Sequence, residues 1–320
     1  MPMGSRQSTF GLSPYGGDGW SPRSDNMAVE VGGLWSACGL DSEWRRLRAV
    51  LLHRPGEELE ASNNPNAVQM LAPIDVARAG EEHDAMTQAY RDNQVTVHMV
   101  EPGGRARPNQ MFCADLVFLT PQGAILARPA STVRAGEERE VARRLADLGV
   151  PILRSISGEA VFEGADAAWL DAKTVAVARG LRTNPRGIAQ IAQVLADMQV
   201  EVVSADLPYG TMHLMGLLRI VDHDLAVAWP RRTPHVVVQA CRDRGMQVIF
   251  LPEVDEHQMN RAVNFVTLGP RRILVEAGYT MVQAFYERHA IECVTVAASE
   301  LVKAAGGFGC LTGVLQRDRA

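Results

Sequence analysis

The run TVAVAR (174–179) decides the fold, because it is one of four near-copies set at a regular interval. AILAR ends at Arg128, TVAVAR at Arg179, LAVAW at Trp229 and RILVEA at Ala277, in steps of 51, 50 and 48 residues. Each is short and apolar and reads as a strand. Another apolar strand precedes each run, and each run leads into a helical stretch and then a β-branched strand. These read EEREVARRLADLGVPIL (137–153), RGIAQIAQVLADMQVEVV (186–203), PHVVVQACRDRGMQVIFL (234–251) and TMVQAFYERHAIECVTV (280–296). An earlier copy opens with RAVLLHRP (48–55) and resumes, after a long loop, as RAGEEHDAMTQAYRDNQVTVHMV (78–100). The chain is thus five units of strand, strand, helix and strand.

A period near 50 residues means repeats that bury apolar faces on one another, not unrelated domains. After the fifth unit, GGFGCLTGVL (306–315) remains as one more apolar strand. Pairing it with the first unit would close a ring. The expected fold is therefore α/β, a five-bladed pseudo-symmetric propeller of ββαβ repeats around a central polar channel. Residues 40–317 are expected to form this single catalytic domain. Residues 1–25 are rich in Gly, Ser and Pro, with no periodicity and no apolar signal region. They read as a flexible tail on which Phe10, Tyr15 and Trp20 offer docking groups.

Composition excludes several classes. The 320 residues carry a net charge of −5, with 47% hydrophobic and 22% charged residues, which fits a globular enzyme and not a disordered chain. No basic surplus exists to neutralise phosphates, so nucleic acid is not an expected partner. No run of about 18 apolar residues occurs, so no membrane span is expected. The five cysteines, Cys38, Cys113, Cys241, Cys293 and Cys310, are widely spaced with no C-x-x-C pair. That spacing argues against a zinc ribbon or disulfide framework and for a reducing, cytoplasmic setting.

The candidate chemistry recurs at matching repeat positions. The first strand of each unit opens with polar residues in an apolar context. NQMFCADLVF (109–118) brings Asn109 and Asp115, and VFEGADAAWL (161–170) brings Glu163 and Asp166. GTMHLMGLLRI (210–220) brings His213, and GGFGCLTGVL brings Cys310. A closed ring would converge them on its axis, and Asp, Glu, His and Cys in one cavity form a covalent-catalysis set. Gly306, Gly307 and Gly309 suggest backbone left bare for a ligand.

These segments resemble the guanidine-modifying pentein superfamily: arginine deiminases, dimethylarginine dimethylaminohydrolases and amidinotransferases. LRAVLLHRPGEELE (47–60) with EEHDA (81–85) looks like the opening of arginine deiminases. FEGAD (162–166), MHL (212–214) and GGFGCLT (306–312) stand, in order, where the superfamily has its acidic, histidine and cysteine motifs. The resemblance implies Cys310 as nucleophile, His213 as general acid/base, and Glu163 and Asp115 as carboxylates gripping a guanidinium. It also implies Asn109 as a group for the amino-acid end of the substrate, Arg182 as one for its α-carboxylate, and Arg134 as a substrate-site arginine at the superfamily's spacing from Asp115. A thiolate would attack the guanidinium carbon, expel an amine protonated by His213, and leave an amidino-thioether that water hydrolyses to a ureido product such as citrulline. No metal or organic cofactor is implied; the partner is a small guanidino compound, and a homo-oligomer stays open. Transfer of the amidino group to another amine is the alternative, and a non-catalytic pentein binding protein is a second. Met215 stands two residues after His213, where deiminases and amidinotransferases have Asp. Strand alternation would aim Met215 into the cavity, favouring an N-alkylated guanidine.

Overall fold

The computed structural model describes residues 9–252, 259 and 261–319. Fifteen strands make five three-stranded sheets. The strands are β1 (Leu47–Leu52), β2 (Thr96–Met99), β3 (Val117–Thr120), β4 (Gly123–Leu126), β5 (Ile152–Ser155), β6 (Ala167–Asp171), β7 (Thr174–Arg179), β8 (Glu201–Asp206), β9 (Leu218–Asp222), β10 (Leu225–Ala228), β11 (Gln247–Phe250), β12 (Val266–Gly269), β13 (Arg272–Glu276), β14 (Glu292–Val296) and β15 (Gly313–Arg317). The four repeated runs are the middle strands β4, β7, β10 and β13. Each pairs antiparallel with the strand before it and parallel with the strand after its helix. The helices are α1 (Val76–Asp92), α2 (Glu137–Asp147), α3 (Pro185–Ala196), α4 (His235–Asp243) and α5 (Thr280–Arg288).

The ring closes as the leftover strand requires. β15 pairs antiparallel with β1, Val50 opposite Val314, so the two chain ends share one sheet. One cavity is lined by residues of β3, β6, β9, β12 and β15 together, which places all five first strands around a common axis. The chain is an α/β propeller with pseudo-fivefold symmetry.

The packing explains why the middle strands are legible in sequence. Val175 and Val177 face one apolar cluster and Ala176 and Ala178 face another, because successive side chains leave opposite faces of a strand. A two-sided strand has no position for a polar residue. Each fully buried Val contributes roughly 1.5–3 kcal/mol. The helices bury one stripe, as with Val141 and Leu145 of α2 and Ile191 and Leu195 of α3. Asn184 caps α3 by accepting from the Gly187 N–H at 2.9 Å, with Pro185 at the first helical position.

Two expectations need correction. Packing begins before residue 40: Glu30 is buried and pairs with Arg23, and Cys38 is 2% exposed. Within the tail, Phe10, Tyr15 and Trp20 are exposed, so they do not dock as apolar anchors; residues 1–8 lie outside the described part. The axial cavity is the expected polar channel, with Glu43, Arg219, Thr267, Thr312 and Arg317 in its lining amid Leu, Val, Ala and Phe. No helix among the described residues is long and apolar enough to cross a membrane.

Candidate active site

The site residues sit not on the first strands but on short turns just before them. Cys113–Leu116 is one helical turn carrying Asp115 into β3; Gly164–Asp166 follows Glu163 into β6. Leu214–Gly216 follows His213 toward β9, and Phe308–Leu311 carries Cys310 into β15. Close approach of two turns depends on Gly164. A Cβ there would lie 2.4 Å from the backbone oxygens of both Ala114 and Val117, so only glycine lets the Glu163 turn rest on the Asp115 turn.

His213 and Glu163 form the centre. His213 Nε2 lies 2.7 Å from Glu163 Oε2, both fully or almost fully buried. His213 Nδ1 faces Asp115 Oδ1 at 3.8 Å and has no hydrogen-bond partner. Burial lowers the imidazole pKa, but Asp115, Asp166 and Glu163 outweigh it and raise the group to about 9. His213 is therefore an imidazolium at neutral pH. Burial disfavours the Glu163 carboxylate, but the hydrogen bond and charge of His213, with Arg134 and Arg182, hold it below the usual carboxylate range. Behind them, burial pushes Asp166 up to about 6 although the Thr183 hydroxyl donates to it at 2.7 Å.

A second layer is cationic. Arg134 donates to Asp115 Oδ2 at 2.6 Å, to Glu137 at 2.8 Å and to Glu163 at 3.5 Å. Arg182 Nη1 lies 3.3 Å from both Glu163 oxygens. Asn109 is buried and gives its amide to the Val68 carbonyl at 2.9 Å.

Cys310 is held from a side the sequence reading passed over. Asn264 Nδ2 donates to Cys310 Sγ at 3.0 Å while Asn264 Oδ1 accepts from the Cys310 N–H at 3.1 Å. Burial raises the Cys310 thiol, as does Asp115, while Asn264, the Gly307 N–H and Arg219 pull it down. The other four cysteines are raised by burial with no hydrogen bond lowering them. Asn264 occupies the position in the fifth unit, just before β12, that Asp115, Glu163, His213 and Cys310 occupy in theirs. Extending the repeat alignment to NFVTLG (264–269) is the signal that finds it.

Two adjoining cavities, about 220 and 20 Å³, share Met212, Ala305, Gly306 and Cys310. The wider one holds His213 and Asn264, with Arg232 and Arg261, which the sequence reading did not single out. The narrower one holds Asp115, Asn109, Arg134 and Arg182. Asp115, His213, Arg134, Arg182, Asn109 and Cys310 thus converge.

Of the remaining residues, Met215 is not where it was expected. Glu163 lines neither cavity; its carboxylate is bonded to His213, Arg134, Arg182 and the Ala130 N–H. Met215 lies in a 3₁₀ turn, where residues two apart point in different directions, and it lines the axial cavity away from His213. Met212 occupies the site instead. Met215→Leu is accordingly expected to leave the ratio of kcat/KM values for arginine and methylated arginines within about two-fold, measured by steady-state kinetics on both substrates. The glycines also have another reason: a Cβ on Gly306 would lie 2.3 Å from the Phe112 ring, and one on Gly309 2.6 Å from Asn264 Oδ1. They admit protein groups that support Cys310.

Asp115, Glu163 and His213 each bring a donor atom within 4.8 Å of the others, the geometry of a metal site. The chemistry does not fit one. Glu163 and His213 are bonded to each other, and the guanidinium groups of Arg134 and Arg182 already supply the positive charge. Asp222, His223 and Asp224 form a second such group, engaged by Arg271.

Comparison with known proteins shows the family and the fold. The family model described as N,N dimethylarginine dimethylhydrolase, eukaryotic, matches residues 60–315. The chain is 24% identical over 279 residues to the uncharacterized protein YkgA of Bacillus subtilis, covering 86% of this chain and 94% of that one. It is 26% identical over 246 residues to the N(G),N(G)-dimethylarginine dimethylaminohydrolase of Mycobacterium tuberculosis, covering 77% and 78%. The solved dimethylarginine dimethylaminohydrolase of Pseudomonas aeruginosa, a Cys-to-Ser mutant complexed with citrulline, superposes with a TM-score of 0.72 at 20% identity, over 85% of this chain and all of that one. A ring of five ββαβ blades with a family match over most of its length leaves one assignment: this chain belongs to the dimethylarginine dimethylaminohydrolase family of the pentein superfamily.

Proposed function

We propose that this protein is a hydrolase that cleaves a C–N bond in the guanidino group of arginine or an N-substituted arginine, through a covalent Cys310 adduct, giving citrulline. One observation carries the reading: among the described residues, three buried polar atoms beside Cys310 have no partner, namely Asp115 Oδ1, His213 Nδ1 and Arg134 Nη2. Unsatisfied buried groups cost about 1–3 kcal/mol each, so their clustering calls for a ligand. An arginine-type substrate matches each of them. Its guanidinium N–H donates to Asp115 Oδ1, its departing nitrogen takes a proton from His213 Nδ1, and its carboxylate accepts from Arg134 Nη2. The name of the matched family supports an N-methylated arginine as the substrate.

The protonation states set the order of events. Asp115, Asp166 and Glu163 favour the charged imidazole, so His213 enters as the acid. The cationic substrate, docked beside sulfur, favours the thiolate by Coulomb attraction, and the thiol proton is released to solvent. Sγ then bonds to the guanidinium carbon and the C–N bond breaks as His213 delivers its proton to the leaving amine. The neutral imidazole next takes a proton from water, whose oxygen adds to the same carbon. The S–C bond breaks as the added hydroxyl gives up its remaining proton to solvent, where the released amine is protonated, leaving the ureido product and the thiolate.

Asn264 stabilises that thiolate. Hydrogen bonds to charged groups contribute about 1.5–3 kcal/mol, so Asn264→Ala should slow iodoacetamide alkylation of Cys310 at neutral pH by roughly 10–100-fold. Unchanged alkylation would remove Asn264 from the chemistry.

Product analysis tests the whole reading. Purified protein is given arginine, methylated arginines and hydroxyarginine, with and without an acceptor amine. Citrulline formed without acceptor is expected. A new guanidino compound that forms only with acceptor would make the protein an amidinotransferase, and no product with any substrate would make it a binding protein.

A further inference from the structure

We propose that the axial cavity on the far side of the Cys310 turn is a binding site for a small monovalent anion, held between Arg219 and Arg317, whose occupancy weakens the Cys310 thiolate. The cavity is about 60 Å³, the share of roughly two liquid waters, which suits a halide or a single carboxylate group. Its charged lining residues are Arg219, Arg317 and Glu43, so one positive charge is in surplus. A buried charge without a counter-ion is costly, and the structure holds two guanidinium groups here against one carboxylate.

Among the described residues, both arginines have donors to spare. Arg317 is 3% exposed and gives Nη1 to the Arg45 carbonyl at 2.7 Å, while its buried Nε has no partner. Arg219 gives Nη2 to the Phe265 carbonyl, and its buried Nε is likewise unpartnered. The carboxylate between them is partly used, since Glu43 accepts the Trp169 N–H at 3.1 Å. The neighbouring hydroxyls offer no rival donors. Thr267 gives its proton to the Ile220 carbonyl and Thr312 to the Phe308 carbonyl.

The link to Cys310 is direct. A Cβ on Gly309 would lie 2.5 Å from Arg219 Nη2 and 2.6 Å from Asn264 Oδ1, so Arg219 abuts the residue before Cys310, beside the amide that holds its sulfur. The charged and polar groups acting on Cys310 are Asp115, Asn264 and Arg219, with His213 across the shared cavity. Those acting on Arg219 are Glu43, Cys310, Tyr90 and Tyr286, and on Arg317 they are Glu43, Arg219 and Tyr90. Arg219 favours the thiolate; an anion on Arg219 cancels that attraction and leaves the opposing Asp115 charge in command.

The test uses the full chain and bromide as the probe. Crystals soaked in sodium bromide are expected to show an anomalous peak between the two guanidinium groups. In solution, with ionic strength held constant by sodium gluconate, bromide should slow iodoacetamide alkylation of Cys310 several-fold at neutral pH. The effect should saturate with concentration and move the alkylation midpoint to higher pH. Arg317→Met should weaken the bromide dependence at least ten-fold, and Arg317→Lys should retain part of it. If Arg317→Met does not fold, the wild-type peak and titration still decide. An empty cavity in the anomalous map, or alkylation identical in bromide and gluconate, would overturn the proposal. Alkylation reads the thiol and not turnover, so an inactive protein with a bromide-sensitive Cys310 would contradict the proposed hydrolase reaction and leave the anion site standing.

Discussion

Cys310→Ser should lose turnover by roughly 10⁴-fold or more while unfolding in urea within about 1 kcal/mol of wild type. The side chain is small and 7% exposed, and serine can keep the Asn264 contact, so the fold has little reason to respond. The chemistry does respond, because a hydroxyl in this setting cannot become the anion that attacks a resonance-stabilised cation. Cys113→Ser is the control. Cys113 is completely buried and its thiol is pushed far above the ordinary range by burial, with Glu137 and Asp115 adding to it, so it has no nucleophilic state to lose. It should retain most activity. Loss in Cys113→Ser with retention in Cys310→Ser would reverse the assignment.

Glu163→Gln is expected to have the second largest effect, and the pH profile identifies its cause. Glu163 holds His213 Nε2 at 2.7 Å and helps raise its pKa to about 9. Gln removes that charge, so the His213 pKa should fall and the alkaline limb of the activity profile should move to lower pH, with kcat reduced by about 10²–10³-fold. Stability gives an independent readout. His213 has a folded pKa above its ordinary value of 6.5, so its contribution is complete below 6.5 and is lost as pH rises through about 9. Glu163 is depressed, so its contribution is present above the ordinary carboxylate pKa and is lost as pH falls. Wild type should therefore be most stable between these limits, and Glu163→Gln should be flatter with pH and lower by about 3–5 kcal/mol near neutrality, because Arg134 and Arg182 lose a buried partner. A pH profile that keeps its alkaline limb would show that Glu163 acts on stability alone.

The ring was legible because its middle strands are buried on both faces. Val175, Ala176, Val177 and Ala178 leave no freedom for a polar residue, so the period survives in the letters themselves. Ring closure was legible because GGFGCLTGVL had no helix or strand partner left in its own unit. The convergence of Asp115, His213 and Cys310 followed from the same period. Local turn geometry was not legible. Strand alternation extended back to Met215 fails because Leu214–Gly216 is a 3₁₀ turn, a difference of a few backbone angles that residue type does not encode. Glu163 was legible as a carboxylate by type; its direction is fixed by Thr183, Ala130 and Arg182, which come from other turns. Asn264 was missed because an amide carries no reactivity of its own, and only its two contacts with Cys310 reveal its use.

Rapid-quench mass spectrometry during turnover tests the central claim most directly. Protein is mixed with dimethylarginine or arginine, stopped in acid within the first turnovers, digested, and the peptide carrying Cys310 is weighed. Attack at the guanidinium carbon with loss of the terminal amine leaves Cys310 heavier by the substrate less that amine, and this adduct should appear before citrulline and decay as citrulline accumulates. An adduct bearing only the amidino group would mean that the rest of the amino acid departs first, as in group transfer. No adduct on Cys310 while citrulline forms, or an adduct on another cysteine, would contradict covalent catalysis at this site.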